Sequence, residues 1–215
     1  MDIRALHRDL VDLHGRPNRT YSEDGVRQLL TTILSQNVAD VQTARAAENL
    51  FGTYPDYRAM EQADQAELAD VISDVGLMNQ KSRRIQRSLR QIRTETGGEY
   101  TLAFLDEMDT KEAQDWLTGI KGIGPKTANV VLNFHFEKPT FAVDTHIERL
   151  SKRFGLIDQS ATADRAHDVL NETIPDDLNY SLHVLLITHG REFCSAQGAD
   201  CSNPVCERYC DCEFC

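Results

Sequence analysis

The chain has 215 residues, of which 40% are hydrophobic, enough to bury one large core or two smaller ones. No apolar run approaches the ~18 residues of a membrane span, and the opening MDIRALHRDL has no signal-peptide core, which points to a cytoplasmic protein with no membrane partner. The formal net charge of −11 weighs against nucleic acid, whose phosphates bind largely through charge, unless basic groups are concentrated locally.

In chain order, Ile3, Leu6, Leu10 and Leu13 recur at helical spacing and predict a first amphipathic helix from Asp2 to His14. HGRPNRT breaks it. Ser22, followed by Glu23 and Asp24, reads as the N-cap of a second helix carrying Val26, Leu29, Leu30, Ile33 and Leu34. That helix ends near LSQNVAD, where Asp40 is placed to cap a third running to about Phe51. Short helices follow around Tyr57 to Met60 and Asp64 to Ser73. Between Val75 and Thr94 there is no acidic residue, while Lys81, Arg83, Arg84, Arg87, Arg90 and Arg93 are basic. Ile85, Leu89 and Ile92 form the apolar stripe of that helix. The basic arc is a candidate phosphate contact, with a solvated face paired to acidic neighbours as the other reading.

TGGEY ends the basic helix. Asp109 with Glu112 then makes a capping-box-like start for a helix through Trp116 and Leu117. Next comes the densest stretch of the chain, LTGIKGIGPKTANVVLNFHFEKPTFAVDTH. Gly119, Gly122 and Gly124 fall within six positions, and Pro125 opens a helical pattern with Thr127, Ala128, Val130, Val131 and Leu132 on it. Glycine tolerates φ > 0 and close backbone approach, while proline suits the first helical position. The free N–H groups of such a helix start favour an anion, and a phosphodiester fits. A glycine turn before a helix is also a common structural device. Lys126 sits at this helix start, where the dipole and partial burial would favour its neutral, nucleophilic amine. Lys121, between the glycines, reads as an exposed phosphate contact. Asp144, in AVDTH, could take protons or stabilise a developing cation. Ile147, Leu150 and Phe154 would hold its loop, and later helices are predicted from Ala163 to Thr173 and from Asn179 to about Phe193. No strand, repeat or low-complexity segment is evident. His146, His183 and His189 lack metal-ligand spacing and read as packed or hydrogen-bonded side chains.

GIGPKTANVVL followed by VDTH resembles the helix–hairpin–helix and following loop of the endonuclease III family of DNA glycosylases. The resemblance implies an all-α, two-lobed helix-hairpin-helix glycosylase fold with a C-terminal iron–sulfur cluster loop. A helical barrel would occupy 20–138, with the hairpin motif at 112–132, and the cluster lobe would join 1–19 to 139–215. It also implies that Lys126 attacks C1′ of a flipped nucleotide with help from Asp144, and that Gly122 and Gly124 offer amides to a phosphate. ILSQNVAD is similar to the family's first barrel helices, whose end often carries a glutamine that fills the hole left by the flipped base. Asn37 stands at that position, with Gln36 beside it. GLMNQK resembles the family's helix junction, with Met78 where tyrosine is frequent. Lys81 and Arg84 follow as candidate DNA contacts.

All six cysteines, Cys194, Cys201, Cys206, Cys210, Cys212 and Cys215, lie in the last twenty-two positions. Thiols clustered in an intracellular chain read as a metal site rather than a disulfide framework. Four thiolates suit Zn²⁺ or an iron–sulfur cluster. The resemblance favours a [4Fe–4S] cluster on Cys194, Cys201, Cys206 and Cys212, with Cys210 and Cys215 as alternates, because four residues separate Cys201 from Cys206 where the family has two. The expected activity is that of a base-excision-repair glycosylase and AP lyase on oxidised pyrimidines in duplex DNA, working as a monomer. A T·G or U·G mismatch glycosylase and a non-catalytic DNA-binding helical module are the alternatives. Arginine (17) outnumbers lysine (6) and aspartate (20) exceeds glutamate (14), a balance that suits a high-salt cytoplasm; the resemblance implies association with the nucleoid there.

Overall fold

The computed structural model describes residues 1–19, 22 and 24–210, and it is mainly helical. It divides into two compact units, Tyr21–Glu137 and Met1–Thr20 with Lys138–Cys215.

The first of these units is built around α2 (Gly25–Ser35), which packs against α3 (Asp40–Thr53), α6 (Met78–Glu95) and α8 (Pro125–Phe134). Leu29, Leu30 and Ile33 of α2 are fully buried with Leu50, Ile85, Leu89, Ile92, Val131 and Leu132. Each such side chain contributes roughly 1.5–3 kcal/mol through its removal from water. The short helices α4 (Tyr57–Gln62) and α5 (Gln65–Val71) lie on α6, and α7 (Thr110–Gly119) pairs with α8. Sequence placed the cap of α2 on Ser22. The structure gives it to Asp24, whose carboxylate accepts from the N–H groups of Val26 and Arg27, while Ser22 Oγ donates to the Asp24 carbonyl. Asp40 likewise does not cap α3. It lies inside the first turn, where its charge meets the helix dipole, and Ala39 takes the cap position. The capping box of α7 forms as expected, Asp109 and Glu112 each bonding the other's N–H.

The polar interior of this unit is organised by Glu61, which is 8% exposed. It accepts from Arg93 at 2.9 and 3.2 Å and from Tyr100 at 2.7 Å, with Arg90 at 3.6 Å. Burial pushes its carboxyl up, but the bonds from Arg93 and Tyr100 and the two guanidinium charges prevail and leave it below the ordinary value. Two arginines of the basic arc are thus engaged in holding α6 to α4.

The second unit packs α11 (Asn179–Glu192) against α9 (Thr145–Arg153) and α1 (Ile3–His14), with α12 (Pro204–Tyr209) on α1 and α10 (Ala163–Thr173) completing the set. Leu6, Leu10, Phe141, Ile147, Leu150, Leu170, Leu182 and Leu186 are fully buried there. Contrary to the strand-free expectation, Cys194–Ser195 pairs with Gly198–Ala199 in a two-residue antiparallel ladder, too short to leave an alternating pattern in the sequence. Among the described residues no helix is long and apolar enough to cross a membrane.

Candidate nucleic-acid interface and cysteine tail

The hairpin is anchored from below. Ile120 and Ile123 are buried, and Ile123 N–H donates to the Ile120 carbonyl at 2.9 Å, closing the turn that lifts Lys121 and Gly122 to the surface. Gly122 has φ +102°, a left-handed conformation that requires glycine. Gln114 of α7 donates to the Asn129 side chain of α8 at 2.8 Å and fixes the two helices to each other. Pro125 occupies the first turn of α8, and no side chain among the described residues caps it. Its leading N–H groups therefore remain available to an anion.

Lys126 is exposed in that turn, so the partial burial expected from sequence is not found. Lys121 is also exposed and lines, with Arg87, Arg90 and Gly119, a cavity of about 460 Å³. In the other unit, Asp144 is half-buried at the N-cap of α9, where its carboxylate accepts from Ile147 N–H at 2.8 Å. Arg149 of the same helix donates to the carbonyls of Gly190 and Cys194 and meets His146 Nδ1 at 3.1 Å. Burial pushes this guanidinium below its ordinary value.

At the end of α2 the expectations divide. Asn37 is exposed, with φ +55°. Gln36 is half-buried and turned inward, its amide bonded to Thr127 and Arg84. Lys81 is a correction to the sequence reading. Placed there among the phosphate contacts, it is 1% exposed, and its ammonium donates to the carbonyls of Leu34 and Gln36, both at 2.8 Å. The physical reason is that these carbonyls end α2 without helical partners, and the lysine satisfies them. Burial, and then the nearby Arg84 charge, push its amine down to about 8. Leu77, which sequence did not single out, is 56% exposed and has φ +60° at the start of α6. An exposed apolar side chain on a left-handed residue is a feature that only the backbone reveals.

In the tail, Cys194 is fully buried in the second core, and Cys206 is fully buried as well. Arg153 donates to Cys194 Sγ at 2.8 Å, and His189 Nε2 lies 3.3 Å from Cys206 Sγ. His189 continues to His14 at 3.0 Å, and His14 to Glu192 at 3.2 Å. Burial, with His14 beside it, pushes His189 down to about 4, leaving it neutral at physiological pH. His146, His183 and His189 thus all have hydrogen-bond partners. Cys201 is disulfide-bonded and would need reduction before ligating a metal. Cys210 follows α12 as its C-cap, and Cys212 and Cys215 lie outside the described residues. Cys194 thus accepts from a guanidinium, as suits a thiolate, and Cys206 lies against an imidazole, while the described residues by themselves bring together no group of three metal-ligating side chains.

Residues 30–176 match the HhH-GPD superfamily of base excision DNA repair proteins. The chain is 31% identical to endonuclease III of Thermotoga maritima over 95% of its own length and 88% of the relative's. It is 33% identical to endonuclease III of Sulfolobus acidocaldarius over 85% and 79%. Among solved structures it resembles a trapped endonuclease III–DNA covalent intermediate, with a TM-score of 0.82 and 27% identity over 97% of this chain and 94% of that one. A thermostable thymine-DNA glycosylase, at TM-score 0.79 and 15% identity over 97% and 94%, shares the fold. The hairpin, its uncapped helix and these likenesses lead to one assignment: the chain belongs to the HhH-GPD superfamily of base excision DNA repair proteins.

Proposed function

We propose that the protein is a DNA glycosylase with AP lyase activity that removes oxidised pyrimidines from duplex DNA. The observation that carries the reading is Lys126, a primary amine exposed at the uncapped first turn of α8 immediately after the glycine hairpin. The amides around Gly122 and Gly124 receive a phosphate, with Lys121 adding its charge. The target nucleotide leaves the stack at a cost of a few kcal/mol, less when the base is damaged. Asn37 fills the space it vacates.

Lys126 Nζ attacks C1′, the C1′–N bond breaks, and the base departs with the electron pair and takes up a proton. As Nζ gives up a proton its electron pair forms C1′=N, the C1′–O4′ bond breaks, and O4′ leaves with that bond's pair and takes up a proton, so that the opened sugar is held as a Schiff base. Removal of a C2′ proton then expels the 3′ phosphate by β-elimination, and water releases the enzyme. Asp144 assists activation and proton transfer. The likeness to endonuclease III supports this sequence, and the lysine disfavours a mismatch-specific enzyme that lacks such a nucleophile.

With Cys201 reduced, the cysteine tail would hold a [4Fe–4S] cluster through Cys194, Cys201, Cys206 and Cys212, with Cys210 and Cys215 as alternates. Such a cluster would tie the tail together and would supply no step of the base removal. The guanidinium of Arg153 donating to Cys194 Sγ supports thiolate ligation there.

Borohydride reduction on an abasic-site duplex tests the lyase. The native protein is expected to give a covalent adduct and Lys126→Gln none. No adduct from the native protein would leave a scaffold that only grips DNA. Duplexes carrying thymine glycol, dihydrouracil, 8-oxoguanine or a T·G mismatch then test the substrate, and cleavage confined to the mismatch would overturn the pyrimidine assignment.

A further inference from the structure

We propose that Gln36 is a positioning residue for Lys126, its side-chain amide bolting the end of α2 to the turn of α8 that presents the nucleophile. The inference rests on reading Lys126 as that nucleophile. Gln36 Nε2 donates to Thr127 Oγ1 at 3.0 Å, and its Oε1 accepts from Arg84 Nη1. Thr127 is the residue directly after Lys126 and is only 4% exposed, so the bond closes on a side chain that has no solvent to turn to.

The amide is held at both ends and from behind. Arg84 has only donors, so it compels the oxygen of Gln36 to face it and the NH₂ to face Thr127. Lys81 grips the Gln36 carbonyl at 2.8 Å and that of Leu34 at the same distance. Arg84 also lies against the hairpin: a methyl group on Gly122 would come within 2.9 Å of its Cγ and Nε. One network therefore joins the end of α2, the first turns of α6, the glycine hairpin and the start of α8. Adjacent residues divide the work, Gln36 turned into the protein and Asn37 out of it.

A lysine that must reach one sugar carbon depends on the placement of its backbone. A misplacement of about 1 Å can cost about a hundredfold in rate without any loss of binding groups. Gln36, Arg84 and Lys81 touch no substrate in this account. They fix where the first turn of α8 stands.

The test measures single-turnover borohydride trapping on an abasic-site duplex, and affinity for a duplex carrying an unreactive tetrahydrofuran site. Gln36→Met and Thr127→Val preserve volume but remove the bond, whereas Thr127→Ser keeps the hydroxyl. Gln36→Met and Thr127→Val are expected to slow trapping by about ten- to a hundredfold while affinity stays within about twofold, and Thr127→Ser to trap near the native rate. The double variant should be no slower than the worse single one, because both remove the same link. Trapping at the native rate in both Gln36→Met and Thr127→Val overturns the inference, as does a rate that falls only in step with affinity, or a serine variant no faster than the valine one. If Gln36→Met fails to fold, the valine and serine pair makes the same comparison. No adduct from the native protein overturns the reading of Lys126, and this inference with it.

Discussion

Replacing Lys81 by methionine keeps the length of the side chain and removes its three donors. At pH 7 two effects compete. The native protein buries an ammonium whose pKa is lowered to about 8, so its charge costs stability that methionine would recover. Against this, the carbonyls of Leu34 and Gln36, which the ammonium satisfies at 2.8 Å, would be left at the end of α2 without a donor. Each unsatisfied buried acceptor costs about 1–3 kcal/mol, and charged donors to two acceptors return about 3–6 kcal/mol. The carbonyls therefore prevail, and Lys81→Met is expected to destabilise by about 2–4 kcal/mol at pH 7.

The pH dependence follows from the same site. The folded pKa of about 8 lies below the ordinary 10.5, so between these values the unfolded chain carries the proton and the folded one has released it. Stability contributed by Lys81 therefore rises with pH across that interval, by about 1.4 kcal/mol per pH unit, since a neutral amine still donates. The assay is urea denaturation of native protein and Lys81→Met at pH 7 and pH 9.5, compared as a difference so that other titrating groups cancel. The gap should widen by about 2 kcal/mol at the higher pH. Equal stability at pH 7, or a gap that stays flat or narrows, would refute the account of how α2 is terminated.

Gly122→Ala places a side chain at φ +102° and 2.9 Å from Arg84, so it should cost about 1–3 kcal/mol in denaturant. It should also weaken duplex affinity; an unchanged melting curve would remove the claim that this turn demands glycine. Glu61→Gln loses the carboxylate that Arg93 and Tyr100 address and should destabilise by about 1–2 kcal/mol at pH 7. Because the folded pKa of Glu61 is depressed, its contribution is present above the ordinary carboxylate value and lost as pH falls through the folded one. The native-to-variant difference should therefore shrink in acid, as thermal scans from neutral pH downward would reveal. The acidic, lysine-poor composition predicts a melting temperature that rises with molar KCl as self-repulsion is screened; a curve indifferent to salt would end that reading.

Much of the candidate site was legible because its signals are local. The glycines and Pro125 mark a turn and a helix start by their own backbone preferences, and Asp109 with Glu112 mark a cap by a spacing of three. Apolar stripes such as Ile85, Leu89 and Ile92 identify a buried helix face wherever that helix is packed. The ends of α2 and α3 were read less well, because serine and aspartate compete for the same cap and only the settled chain chooses between them.

What sequence alone determined, then, is the helical content, the hairpin with Lys126 at its edge, and the confinement of every thiol to the tail, since each depends on residues near one another in the chain. Tertiary structure decided which basic residues of α6 serve the surface and which the interior. Charge along a helix records no partner, and the partners of Lys81, Arg84 and Arg93 lie 45–47, 48 and 32 positions away. A cation goes inward where carbonyls or a carboxylate would otherwise be buried without a donor, and that condition exists only after the helices have packed.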